Sequence, residues 1–67
     1  MRYKFLYYEV VRGEKLMTVL DYQEARTIRF DLGALQSDQL EEDLKAYMRT
    51  IWKSHVENGL FEYKSKL

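Results

Sequence analysis

A single histidine and no cysteine among 67 residues restrict the chemistry this chain can do. A serine nucleophile would take His55 as its base. The nearest hydroxyl belongs to Ser54, its immediate neighbour on a helical stretch, and adjacent helical residues do not face each other. Ser37 and Ser65 would have to approach through the fold. His55 also falls on an apolar stripe, where a packed, hydrogen-bonded histidine is the ordinary outcome. Glu41, Glu42 and Asp43 would be the carboxylates for acid and base work, but they open an exposed helix with no apolar pocket to raise a pKa. They read as a solvated face.

Binding chemistry is equally constrained. Phosphate cradles need clustered glycines, and Gly13, Gly33 and Gly59 stand far apart. Asp31-Leu32-Gly33 supplies one carboxylate where a calcium loop needs several. A zinc-binding thiol cluster is excluded by inventory. The sequence therefore predicts no catalytic residue, no metal and no cofactor. No small-molecule ligand is expected either, because a pocket of about 300–1,000 Å³ is hard to build from so few residues.

The elements that carry these residues follow from patterning. Arg2 to Val11 is dense in Tyr, Phe and Val, Arg12-Gly13-Glu14-Lys15 is a turn, and Leu16 to Leu20 is the return strand. With Gly13 and Glu14 as the loop residues, Val11 faces Leu16, Val10 faces Met17, Glu9 faces Thr18 and Tyr8 faces Val19. Asp21-Tyr22-Gln23-Glu24 makes the next turn, and Ala25 to Asp31 alternates as a third strand. Gly33 to Gln36 is a short connection. Ser37 or Asp38 then caps a helix, Asp38 and Glu41 having capping-box spacing. Leu40, Leu44, Tyr47, Met48, Ile51 and His55 form its apolar stripe, with Trp52 at the margin. Asn58-Gly59 ends the helix, and Phe61 to Tyr63 alternates as a short last strand that can return parallel to the first.

The expectation is an α+β fold: a small, mostly antiparallel sheet of three to four strands, in the order β-β-β-α-β, packed on one amphipathic helix. Residues 1–67 form one domain, with no linker or internal repeat. A 46% hydrophobic content argues against disorder, and no run approaches a membrane span or a secretory signal, so a cytoplasmic location is the default expectation. A domain this small buries only about 60% of its extended surface, which leaves self-association or a partner as a source of stability.

On the expected register Leu6, Tyr8, Val10, Met17 and Val19 share one sheet face, and Tyr3, Phe5, Tyr7, Val11, Leu16 and Leu20 the other. One helix covers one face. The second face, marked as the less buried by Glu9 and Thr18, is therefore the predicted contact surface, with Tyr3, Phe5, Tyr7, Leu16 and Leu20 as interface candidates. Trp52, beside Lys45 and Arg49, is a further candidate anchor. The function expected is a non-enzymatic protein-interaction module, accessory, inhibitory or regulatory, working through the aromatic sheet face or a strand edge, with a protein partner or a second copy in a homodimer. The alternative is a nucleic-acid-binding module in which Tyr3, Phe5 and Tyr7 stack on bases and Arg2, Lys4, Arg12, Lys15, Arg26 and Arg29 contact phosphate. The zero formal net charge, eleven basic against eleven acidic residues, weighs against that alternative.

Overall fold

The computed structural model describes residues 1–59 and 61–63. Strands β1 (Tyr3–Val11), β2 (Glu14–Asp21) and β3 (Arg26–Asp31) form one antiparallel sheet in the order β1-β2-β3. A single turn of helix, α1 (Leu32–Leu35), and the longer α2 (Glu42–Ile51) follow, and α2 runs on into a π-helix over Trp52–Glu57. The expected α+β architecture is present. Phe61 to Tyr63 then returns beside β1: the Tyr8 amide donates to the Phe61 carbonyl at 2.9 Å and the Tyr63 amide to the Tyr8 carbonyl at 2.7 Å, a parallel bridge of Tyr8 with Glu62. Lys64, which continues the expected alternation, lies outside the described residues.

The β1–β2 turn sits one residue earlier than expected. Arg12 and Gly13, with φ of 54° and 81°, are its two loop residues, so Val11 pairs with Glu14 and Tyr8 with Met17. A two-residue loop with positive φ at both positions matches the twist of the strands it joins, and glycine at its second position adopts that conformation freely. Register thus moves by two residues, which keeps each side chain on its expected face. A second departure does not. The ladder slips between Phe5 and Tyr7, so Leu6 is an extra, bulged residue, and Tyr3 and Phe5 change faces to join Tyr8.

The core forms where that face meets the helices. Tyr3, Phe5, Tyr8, Met17, Val19 and Phe30 from the sheet, Leu44 and Met48 from α2 and Val56 from the π-helix are each no more than 4% exposed. The Tyr47 hydroxyl receives the Phe5 amide hydrogen at 2.7 Å, closing a backbone group at the bulge. The helical segment differs from expectation at both ends. Asp31 caps α1, its carboxylate accepting from the Ala34 amide at 2.8 Å, so part of the stretch read as a connection is a helical turn. The Asp38–Glu41 capping box does not form, and α2 begins at Glu42 after an extended Glu41. Beyond Ile51 the wider π-helical turn shifts the helix phase, which buries Val56 fully and leaves His55 only half-buried. Gly59, at φ +71°, ends the helix as read from the sequence.

Arg2 ties the start of β1 to the end of β2 and the start of α2. Its guanidinium donates two 3.2 Å hydrogen bonds to the Asp21 carboxylate and lies 3.1 Å from Glu41 and 3.7 Å from Asp43. Asp21 is fully buried and also accepts from the Gln23 and Glu24 amides, so one carboxylate fixes the β2–β3 turn and the N-terminus together. The Arg2 hydrogen bonds, helped by those amides, hold the Asp21 pKa below the ordinary carboxylate value, against the opposing effect of burial. The acidic start of α2 therefore neutralises a partly buried cation as well as complementing the helix dipole.

Candidate functional site

The face of the sheet turned away from the helices is built from three crossing rows: Lys4, Leu20 and Thr27; Tyr7, Thr18 and Arg29; Glu9, Leu16 and Asp31. Val11 and Glu14 make a fourth, beside the turn. No described element packs over it. Tyr7, Leu16 and Leu20 are half-buried, and Tyr63 lies against Tyr7 with ring centroids 5.6 Å apart, so the returning C-terminal segment extends the face by one aromatic side chain. Glu9 of β1 and Arg29 of β3 form an ion pair that has to span β2. Beside it Thr18 is 3% exposed, and its hydroxyl has no hydrogen-bond partner among the described residues. The centre of the face is shielded by its own side chains, with the apolar groups arranged around it.

Of the residues predicted for contact, Tyr7, Leu16 and Leu20 are on this face. Tyr3 and Phe5 are not. The Leu6 bulge buries both under α2, where Tyr3 packs on Tyr47 at 5.7 Å and Phe5 meets His55 and Phe61 edge to face. The bulge has no sequence signature, because Leu6 fits either a paired or an unpaired position. Tyr63 was missed as a site residue; its alternation with Phe61 is the signal that places it on the face opposite the core. Trp52 packs half-buried against the core and separates two concavities, one of about 460 Å³ against Lys15, Asp31 and Gly33 and one of about 350 Å³ against Leu35, Lys45 and Arg49. Both reach the volume of small-molecule pockets, which the sequence does not predict for so short a chain, and both are open to solvent.

The six basic candidates do not converge. Arg2 is held by three carboxylates and Arg29 by Glu9, while Lys15 lies over the Tyr8 ring at 5.2 Å on the helix side of the sheet. Arg26 flanks Tyr3 and Ile28 on that same side. Lys4 is exposed on the open face and Arg12 at the turn.

Ser54 and His55 do meet, against expectation. Ser54 Oγ stands 2.7 Å from His55 Nδ1, a contact between neighbours that the π-helical segment contains. The same hydroxyl is 3.3 Å from the Ile51 carbonyl, and the direction of its bond with Nδ1 follows the imidazole tautomer. The imidazole stacks on Phe61 at 4.3 Å, and no carboxylate orients it among the described residues. No group of three or more His, Asp or Glu side chains suited to a metal gathers among those residues. No helix among them is long and apolar enough to cross a membrane.

No family model matches the chain, and neither a curated protein nor a solved structure matches it.

Proposed function

We propose that this chain is a non-enzymatic protein-interaction module that docks through the open face of its sheet. The observation that carries the reading is the asymmetry of the sheet: all the described helices serve one face, while Tyr7, Leu16, Leu20 and Tyr63 ring the other with no described element above them. Aromatic and aliphatic groups around a shielded centre suit a protein surface, which gains from apolar contact. The edge of β3, unpaired among the described residues, adjoins the same face and extends the area a partner can cover. Its six residues include Arg26, Arg29 and Asp31, charges of the kind that discourage unspecific strand pairing.

Photo-crosslinking tests this reading. A photoreactive residue at Leu20 captures protein, whether a second copy or another chain, and one at Thr50, exposed on the far side of α2, does not. Equal capture from both positions, or none from Leu20, contradicts it. The nucleic-acid alternative has weaker support, since its cations are divided between two faces and Arg2 and Arg29 are already paired. It would be favoured by oligonucleotide binding that weakens steeply with salt and is lost in Tyr7→Ala.

A further inference from the structure

Charge is distributed along the open face with a direction. Lys4 and Arg29 belong to the two rows at one end, and Glu9, Asp31 and Glu14 to the two rows at the other, with Arg12 in the turn beyond. Lys4 and Glu14 are exposed, and among the described residues neither makes an ion pair. A surface that is basic toward one end and acidic toward the other is complementary to itself when turned end for end.

We propose that the occupant of the open face is a second copy of this chain, packed face to face about a two-fold axis that runs across the strands. This rests on the docking reading above and names its partner. Such an axis reverses strand direction and keeps β1 over β1, β2 over β2 and β3 over β3. Lys4 of one copy then lies over Val11 of the other, one strand away from that copy's Glu14, which lies over Leu20; Arg29, paired within its own chain to Glu9, lies over the other copy's Asp31, and Leu16 lies over Thr18, the residue at the centre whose hydroxyl has no partner among the described residues. A two-fold axis along the strands would instead stack Glu9 on Asp31, like charge on like. Two sheets packed face to face are held about 10 Å apart with strands nearly aligned, a spacing that the side chains of Tyr7, Leu16, Leu20 and Tyr63 can fill.

Area sets the strength. Strands of nine, eight and six residues and a returning segment of three, about 4.8 Å apart and rising about 3.3 Å per residue, give a footprint of about 400 Å² on each copy. The total of about 800 Å² is below the roughly 1,000 Å² of a stable specific interface, so the dimer is weak, reversible and dependent on concentration.

Sedimentation equilibrium on the full chain and on exposed charge reversals tests this. The wild-type chain is expected to show a monomer–dimer equilibrium. Lys4→Glu and Glu14→Lys each weaken it by about tenfold, since each places two like-charge pairs in the symmetric interface. The double variant restores association to near the wild-type level. Neither side chain is in the core, and an unchanged circular dichroism spectrum establishes that each variant is folded. A wild-type chain monomeric at all concentrations overturns the second-copy assignment; the docking reading then stands or falls on whether Leu20 crosslinks to a different protein. A dimer that ignores both reversals, or is not restored in the double variant, also overturns the geometry.

Discussion

The two faces of this sheet come from the same three strands and begin from similar residues, yet they end in different states. On the helix side Tyr3, Phe5, Tyr8, Met17, Val19 and Phe30 are at most 4% exposed and meet α2 and the π-helix. On the other side Tyr7, Leu16 and Leu20 are half-buried, and the Glu9–Arg29 pair crosses among them. What separates the faces is one inserted residue. Without the bulge at Leu6, Tyr3 and Phe5 would lie with Tyr7, the core would lose two aromatic rings, and the open face would gain an apolar surface that a soluble chain rarely leaves bare. A single register irregularity thus decides how much of an aromatic strand holds the fold together and how much is free to bind.

Phe5→Arg is accordingly the most disruptive change expected. It puts an unpaired cation at the buried position that the bulge gives to an aromatic ring, a loss comparable with the whole stability of about 3–10 kcal/mol for a domain this size. The variant should show no cooperative unfolding by circular dichroism.

Truncation at neighbouring positions of β2 separates the faces next. Met17→Ala, at a fully buried position, should cost about 2–5 kcal/mol in urea unfolding, while Leu16→Ala, half-buried on the open face, should cost about 1 kcal/mol. Equal losses would mean that both faces are structural core.

Acid should act on the helix side through Asp21. The Asp21 pKa is lower in the folded chain than in the unfolded one, so the unfolded state binds the proton more readily. The stabilisation is in full force above the ordinary carboxylate pKa of about 4 and disappears as pH falls through the lowered value. Thermal midpoints should drop on acidification below about pH 4 in the wild type, and less steeply in Asp21→Asn, which starts from a lower midpoint because Arg2 has lost the buried carboxylate that accepts two of its hydrogen bonds. The smallest effect is expected at Thr18→Val, which removes an unpartnered hydroxyl in a similar volume and should change stability by no more than about 1 kcal/mol, in the stabilising direction.

Much of the fold was legible because it rests on local patterning. The aromatic and β-branched runs give three strands, Gly59 ends the helix, and the alternation of Phe61 and Tyr63 foreshadows the parallel return beside β1. The features that were not legible arise from tertiary competition. Arg12-Gly13 and Gly13-Glu14 are both plausible loops by composition, and what distinguishes them is which pairing lets Tyr8 face Met17 under the helices. The π-helix likewise has no propensity signal; it rotates Val56 into a space that an uninterrupted α-helix would have offered to His55. The candidate site was half readable for the same reason. Alternation assigns Tyr7, Leu16 and Leu20 to the open face whichever register is chosen, whereas Tyr3 and Phe5 depend on a bulge no pattern announces.

Thermal unfolding of Leu16→Arg measured beside Met17→Arg tests the division of labour between the faces most directly. If the open face is a docking surface, Leu16→Arg keeps a cooperative transition within about 10 °C of the wild type, and Met17→Arg, which buries an unpaired cation, does not fold. Loss of the transition in Leu16→Arg would contradict the account, because the face assigned to a partner would then be part of the core.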